Sequence, residues 1–166
     1  LKRIYEIFKN KIKNKKVTFL GVTFKANTDD MRDSSSLIMI PALSKKGAII
    51  KYYDPTGFKK EFEKFRNVSY ENSIKKSLKD SDLIVIHTEW NDFKSINFKN
   101  ITKNKKLIIY DMRNIYSPEK ITSQGFRYFS VGRWLVFYLS SKIASTSTAT
   151  PKGRLLVLTA ALECIP

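Results

Sequence analysis

Three cationic side chains follow apolar runs that have the length of β-strands. Lys25 and Arg32 come after the run 17–22, and Arg113 comes after the run 107–110. If these runs are parallel strands of one sheet, their carboxyl ends meet at the same edge, where open α/β sheets bind ligands. Ammonium and guanidinium groups at that edge can neutralise phosphate. The spacing therefore favours a site for a phosphate-bearing ligand such as a diphosphate.

Two interpretations of the segment around Lys25 and Arg32 remain open. In the first, the cations bind a ligand, and Phe24 packs on one of its rings. In the second, the segment is an ordinary polar loop whose aspartates pair with the cations. No GxGxxG pattern follows the run 17–22, so the usual approach of a dinucleotide pyrophosphate to bare backbone is not encoded.

Other residue types that often do chemistry are poorly placed. The single histidine, His87, ends an apolar run without an evident partner, so we expect a packed or capping residue rather than a general base. Asp54 precedes Pro55 and is interpreted mainly as part of a turn. The single cysteine, Cys164, has no neighbouring base and is not expected to be a nucleophile. One His and one Cys also give no metal-ligand cluster.

Alternating apolar runs and amphipathic segments predict the elements that carry these loops. Strands are predicted at 17–22, 48–53, 68–70, 83–87, 107–110 and 126–131. Helices are predicted up to about Ile12, from a cap at Asp33 or Ser34 to Gly47, and at 58–65, 72–79 and 117–124, with a turn or helix at 90–96. This alternation indicates an α/β fold: a Rossmann-like, doubly wound, mainly parallel sheet with flanking helices.

The overall charge bears on possible partners. The formal net charge is +16, and such a balance can indicate a nucleic-acid or membrane partner. The lysines are spread along the whole chain without an Arg-rich arm, a recognition helix or an RNA-binding motif, which favours a solvated surface. A stand-alone basic nucleic-acid-binding module is the alternative. No apolar run approaches the roughly 20 residues that cross a bilayer, so we expect no membrane partner.

The composition changes after Arg133. Residues 134–166 contain only four charged side chains in 33 residues and no Asn or Asp. We therefore predict a ligand-binding domain at 17–133, preceded at 1–16 by the end of a helix that leads into it. Residues 134–166 are interpreted as an anomalous tail, out-of-frame or vector-derived, at the end of a truncated gene. A genuine extension that packs on the domain is the alternative.

Five segments in register resemble a known family. They are GVTFKANTDDMRDSSSLIMIPAL at 21–43, GAIIKYYDP at 47–55, TEWNDF at 88–93, DMRNIY at 111–116 and FSVGR at 129–133. This series resembles the C-terminal, UDP-binding domain of the UDP-glucose/GDP-mannose dehydrogenase superfamily. Within it, TEWNDF and DMRNIY are more similar to the UDP-glucose 6-dehydrogenase branch than to the GDP-mannose or UDP-N-acetylmannosamine branches, which are the alternatives.

The resemblance implies particular roles for the strand-end residues. Phe24 and Lys25 match family positions that contact the UDP-sugar, and Arg113 matches an arginine that contacts the substrate. Arg32 matches an arginine that reaches the NAD bound by the other domain. Met112 departs from the pattern, because the family usually has glycine there. If that position needs a positive φ, Met112 would add strain and misdirect Arg113.

The resemblance also implies an activity. Enzymes of the UDP-glucose branch oxidise the C6 alcohol of UDP-glucose to a carboxylate in two hydride transfers to NAD, with a covalent cysteine adduct between them. Their NAD-binding glycine loop and nucleophilic cysteine lie in an N-terminal half that has no counterpart in these residues. We therefore expect the chain alone to be inactive. Its expected partners are UDP-glucose, the N-terminal dehydrogenase domain and, in a homodimer, a second copy, all in the cytoplasm.

Overall fold

A computed structural model describes residues 1–102, 104 and 106–132 of the chain. Its strands are β1 Lys16–Leu20, β2 Ile49–Tyr53, β3 Val68–Tyr70, β4 Leu83–Ile86, β5 Ile108–Asp111 and β6 Arg127–Ser130. Its helices are α1 Lys2–Ile7, α2 Ser36–Lys45, α3 Ile74–Leu78, α4 Asn91–Lys94, α5 Phe98–Ile101 and α6 Pro118–Thr122, with a 3-10 turn at Lys60–Phe62. Arg133, Cys164 and the predicted tail 134–166 lie outside the described residues.

The strands form one sheet in the order β3-β2-β1-β4-β5-β6. Every neighbouring pair is parallel, so the predicted α/β, Rossmann-like, doubly wound sheet is confirmed. The chain first builds outward from β1 to β3 and then returns to start β4 on the other side of β1. The strand order thus reverses between β1 and β4, and a doubly wound sheet binds its ligand in the crevice at such a point.

Both faces of the sheet are buried, which explains why its central strands are continuous apolar runs. Successive side chains of a strand point to opposite faces, and Phe19 and Leu20 accordingly belong to different core clusters. One face packs against α1 and α2, through residues such as Ile40. The other packs against α3 to α6, through residues such as Phe93 and Phe98. The rigid centre of the sheet therefore holds the strand ends, and the loops after them, in fixed positions.

Two predicted helices are shorter in the structure. The helix predicted at 58–65 is only the 3-10 turn at Lys60–Phe62, because Gly57 has a φ of 89° and Lys59 is extended. The first helix ends at Ile7 rather than near Ile12, because Lys9 and Asn10 adopt positive φ and turn the chain. In both segments, apolar residues at helical spacing lie on a backbone that is not helical.

The start of α2 also differs from the prediction. The residue before the helix is Ser35, whose side chain makes no capping hydrogen bond. Asp33 adopts a φ of 58°, whereas the Ser34 Oγ accepts the Ser36 N–H at 3.3 Å, as a capping hydroxyl does. The same Ser34 hydroxyl donates to the Val22 carbonyl at 2.6 Å. The hydroxyl is thus used to hold the preceding loop, a long-range contact that local spacing does not reveal.

Gly21 marks a close approach of two chain segments at the strand-order reversal. It follows β1 with a φ of +76°, and a Cβ at this position would lie 2.5 Å from the Cβ of Thr88, which follows β4. The Gly21 N–H donates to the Tyr53 carbonyl at 2.8 Å, so the backbone is held from the β2 side as well. Only glycine satisfies both the backbone conformation and the space.

We expect Gly21→Ala to lower the free energy of unfolding by about 3 kcal/mol, because it adds overpacking against Thr88 to left-handed backbone strain. Gly57→Ala is the matched control. Gly57 has a φ of +89° but nothing within 4 Å of the added Cβ, so only strain of about 1 kcal/mol applies. Urea unfolding followed by circular dichroism measures both, and equal losses in the two variants would contradict the steric argument.

Candidate functional site

The loops that follow β1, β4 and β5 meet at the carboxyl edge of the sheet. Arg113, after β5, lies across the end of β4, where its Nε donates to the His87 carbonyl at 2.8 Å. Its Nη2 continues to the loop after β1 and donates to the Phe24 carbonyl at 3.1 Å. The predicted meeting of Arg113 with the loop that carries Phe24 and Lys25 is therefore present. A guanidinium has further N–H donors, which leaves Arg113 able to contact a ligand.

Phe24 and Lys25 are exposed at this edge. Phe24 is 48% exposed, so its ring is available to pack against a ligand. Lys25 is also exposed, and its charge helps to lower the pKa of Asp30. These side chains, with Arg113, place an apolar ring and two cations beside the strand-order reversal. Such a combination suits a ligand with both a ring and phosphate groups.

Glu89 is a neighbour of Arg113 that the sequence analysis did not single out. Its Oε2 lies 3.1 Å from the Arg113 Nε, and both side chains are partly exposed. The single Nε proton points to the His87 carbonyl, so this ion pair is not also a hydrogen bond, and Glu89 Oε2 has no hydrogen-bond partner among the described residues. A half-exposed pair of this kind stabilises little. The guanidinium is held mainly by its hydrogen bonds to the His87 and Phe24 carbonyls.

Arg32 is paired within its own loop. Its Nε and Nη2 donate to both carboxylate oxygens of Asp30 at 2.8–3.2 Å. The hydrogen bonds from Arg32 hold the pKa of Asp30 at about 2. For this pair, the interpretation that aspartates of the loop pair with its cations is right. The Arg32 side chain is nevertheless 88% exposed, and exposed ion pairs exchange partners at small cost.

The side chain of Asp54, at the end of β2, holds the loop after β1 in place. The predicted turn is present, since the Gly57 N–H donates to the Asp54 carbonyl at 2.9 Å. The carboxylate has a second role that the sequence analysis missed. It is 1% exposed, and its Oδ2 accepts the N–H groups of Val22 at 2.8 Å and Thr23 at 3.4 Å. The position of an acid at the end of the second strand was the signal for such a contact.

The other peptide groups of this loop are also satisfied internally. The Val22 carbonyl accepts the hydroxyls of Ser34 and Ser36, and the Thr23 carbonyl accepts the Thr88 hydroxyl at 2.9 Å. The Phe24 N–H donates to the Asp30 carbonyl at 2.9 Å. With the contacts of Asp54 and Arg113, every N–H and C=O of residues 22–24 has an internal partner. Residues 22–24 therefore offer a ligand their side chains rather than their backbone.

His87 is a packed residue, as predicted. It is 2% exposed, and its Nε2 lies 2.8 Å from the Ser35 hydroxyl. Since the Thr88 hydroxyl proton goes to Thr23, the 3.1 Å contact between His87 Nδ1 and Thr88 Oγ1 assigns the ring proton to Nδ1. Burial, with a contribution from the charge of Arg113, lowers the pKa of His87 to about 4. The ring is neutral at pH 7 and links the loop after β4 to the start of α2.

The strain expected at Met112 is absent. Met112 does not adopt a positive φ, and its side chain packs against the core. The positive φ in this loop falls at Asn114, with a value of 55°. Asparagine tolerates the left-handed region better than most residues, so Met112 adds no backbone strain to the loop that carries Arg113.

Among the residues that the structure describes, no three His, Cys, Asp or Glu side chains lie close enough together to hold a metal ion. No helix in that part of the chain has the length and apolar character needed to cross a membrane.

The fold and the cationic edge define a Rossmann-like domain suited to a phosphate-bearing ligand. Residues 18–118 match the model of the UDP-glucose/GDP-mannose dehydrogenase family, UDP binding domain. The chain belongs to this family, and its described residues contain the UDP binding domain.

Curated relatives give the same assignment. The chain is 37% identical over 123 residues to the UDP-glucose 6-dehydrogenase of Rhizobium meliloti, which covers 74% of this chain and 28% of the relative. It is 38% identical over 134 residues to the UDP-glucose 6-dehydrogenase of Rickettsia conorii, covering 78% of this chain and 31% of the relative. The chain thus spans roughly three-tenths of the length of these relatives.

Solved structures of similar fold are dehydrogenases of nucleotide sugars. A UDP-D-ManNAc dehydrogenase from Pyrococcus horikoshii superposes with a TM-score of 0.61 at 28% identity, over 78% of this chain and 29% of that one. An NDP-N-acetyl-D-galactosaminuronic acid dehydrogenase from Methanosarcina mazei gives a TM-score of 0.67 at 22% identity, over 80% and 29%. The second similarity shows the fold alone.

The buried histidine predicts a pH dependence of stability. The folded state favours the neutral ring, so the His87 contribution is fully present above the ordinary pKa of 6.5 and is lost as the pH falls towards 4. We expect a loss of roughly 3 kcal/mol over that range. Urea unfolding at pH 7 and pH 4.5 measures it, with His87→Gln as the control that lacks this titration. An NMR titration of this single histidine with a pKa near 6.5 would contradict the prediction.

Proposed function

We propose that this domain binds the UDP moiety of a nucleotide sugar through Phe24, Lys25 and Arg113. The observation that carries the proposal is the meeting of Phe24, Lys25 and Arg113 at the strand-order reversal, where Arg113 contacts the Phe24 carbonyl and the peptide groups of residues 22–24 are satisfied internally. Lys25 and Arg113 supply charge for the diphosphate, and the exposed Phe24 ring supplies an apolar surface. Family membership supports UDP over other phosphate-bearing ligands.

We further propose that the whole protein oxidises UDP-glucose to UDP-glucuronate with NAD. The support is the 37–38% identity to relatives named UDP-glucose 6-dehydrogenase. In such an enzyme this domain would hold the substrate far from the reacting carbon, so that binding energy positions C6 for the chemistry. UDP-N-acetylmannosamine is a second candidate substrate, supported by the Pyrococcus structure at 28% identity.

NAD does not fit this domain as its principal site. The loop after β1 has no GxGxxG pattern, and the N–H groups of Val22 and Thr23 donate to Asp54 rather than outward. We propose that a separate dehydrogenase domain binds NAD and that Arg32 contacts it from here. The depression beside Arg32 is also lined by Asp29, Asp30 and Glu61. These acids would repel phosphate, so the cofactor would approach Arg32 from its solvent side.

We also propose a partner dehydrogenase domain, a homodimer and a cytoplasmic location for the whole protein. The partner dehydrogenase domain and the homodimer rest on family membership alone. The cytoplasmic location rests on the single cysteine, which fits a reducing compartment.

Lys25→Ala should weaken UDP binding by the purified chain about tenfold or more, because a charge-assisted contact of roughly 1.5–3 kcal/mol is lost. Lys45→Ala is the matched control. Lys45 is also exposed, but it ends α2 and therefore lies towards the opposite, amino edge of the sheet. Isothermal titration calorimetry with UDP measures both variants. In a full-length enzyme the same Lys25 change should raise the KM for UDP-glucose to a similar degree.

Two outcomes of this titration would contradict the proposal. Equal UDP affinity in wild type and Lys25→Ala would remove Lys25 from the site. Salt-sensitive binding to DNA or RNA, with no preference for UDP, would favour the basic nucleic-acid-binding module instead. Parallel titrations with UDP-glucose, UDP-N-acetylmannosamine and GDP-mannose compare the candidate substrates.

The 166-residue chain alone should produce no NADH from UDP-glucose and NAD. The physical reason is that its described residues hold neither a dinucleotide loop nor a nucleophile beside the cationic edge. Absorbance at the NADH band, recorded with a full-length relative as the positive control, measures this. Detectable turnover by the purified chain would contradict the assignment of the chemistry to another domain.

A further inference from the structure

The loop after β1 has the position of a phosphate-binding loop but not its contacts. In a dinucleotide-binding fold, the N–H groups after the first strand point outward to the ligand's pyrophosphate. Here the N–H groups of Val22 and Thr23 donate to one oxygen of Asp54, which comes from the end of β2. The buried Asp54 carboxylate thus accepts the N–H groups that bind the ligand's pyrophosphate in a dinucleotide-binding loop.

The second oxygen of Asp54 is held as firmly as the first. Asp54 Oδ1 accepts the Thr56 N–H at 3.0 Å and the Thr56 hydroxyl at 2.6 Å. Because the Thr56 hydroxyl proton goes to Asp54, the Thr56 Oγ1 acts as acceptor for the Lys59 Nζ, which donates to it at 2.6 Å. Lys59 is itself 6% exposed. Its ammonium therefore faces the buried carboxylate across one hydroxyl, so the two charges compensate each other.

The contacts of Asp54 extend to the residues of the proposed UDP site. Thr23, whose N–H faces Asp54, donates its hydroxyl to the Lys25 carbonyl at 3.1 Å. The peptide groups of residues 22–24 and the Lys25 carbonyl are thereby held from inside the protein. Both carboxylate oxygens are occupied, which also excludes Asp54 from the ribose contact that an acid at this position makes in dinucleotide-binding folds.

We infer that Asp54 is a positioning residue: it acts as an internal anion that fixes the loop backbone and aims Phe24 and Lys25 at the ligand. Thr56 and Lys59 hold its carboxylate in place. The inference deepens the proposed function and rests on it for the identity of the ligand. The internal-anion arrangement itself does not depend on that identity.

The test replaces Asp54 by Asn in the full chain. The Asn amide presents N–H where Val22 and Thr23 need an acceptor, or else turns and loses the contacts to Thr56. Asp82→Asn is the matched control, because the Asp82 carboxylate also accepts a backbone N–H, that of Lys16 at 2.9 Å, but at the start of β1 and thus at the opposite edge of the sheet. Amide chemical shifts, amide hydrogen exchange and the Kd for UDP are measured for each variant.

We expect Asp54→Asn to shift the amide signals of residues 22–25, to speed hydrogen exchange at Val22 by at least tenfold, and to weaken UDP binding by at least fivefold. Asp82→Asn should leave all three unchanged. Unchanged signals and exchange at residues 22–25 in Asp54→Asn would overturn the inference. So would a shifted loop that binds UDP as tightly as wild type.

A second pair of variants covers the case in which Asp54→Asn does not fold. Thr56 is exposed, and Thr56→Val removes the hydroxyl while keeping the side-chain shape. Thr56→Val should shift the signals of residues 22–25 and weaken UDP binding, and Thr56→Ser should restore both. Equal behaviour of Val and Ser would overturn the inference. If the loop signals respond as expected but wild type binds no UDP, the internal anion stands and the proposed ligand fails.

Discussion

The close approach of Gly21 to Thr88 is the constraint on which the rest of the edge depends. It exists because β4 pairs with β1 on the side opposite β2. The loops that follow these two neighbouring strands therefore begin next to each other at the carboxyl edge of the sheet. With a side chain at Gly21, the loop after β1 would lift away from the end of β4. Thr88 could then no longer reach the Thr23 carbonyl. The contacts between the two loops are possible only because residue 21 is glycine and has no side chain.

Much of the fold could be predicted from local pattern. Continuous apolar runs mark strands covered on both faces, and their alternation with amphipathic segments indicates a doubly wound sheet. The errors occurred where apolar residues fall at helical spacing along a backbone that is not helical, as between Phe58 and Lys60. Contacts between distant residues were also missed. Ser34 has a suitable residue type for an N-cap and accepts the Ser36 N–H, but its hydroxyl also donates to the Val22 carbonyl. No local window contains that information.

The candidate site shows the same division between local and distant information. Residue type and strand-end position were enough to single out Arg113. They did not predict that its guanidinium joins three loops, because those loops come from distant parts of the chain. Asp54 was visible as a turn residue, which it is. Its larger effect depends on the parallel pairing of β1 with β2, which places the end of one strand beside the loop that follows the other.

Because the peptide groups of residues 22–24 are satisfied internally, the residues that hold the loop differ from those proposed to contact the ligand. Because the shape of the loop is determined by Asp54, Thr88 and Arg113, the exposed side chains of Phe24 and Lys25 contribute little to holding it. Substitutions at those two positions can therefore alter which ligand is preferred without unfolding the edge. In such a domain, single side-chain substitutions can change ligand preference while the backbone stays the same. A loop that binds its ligand through backbone N–H groups cannot change its preference in this way.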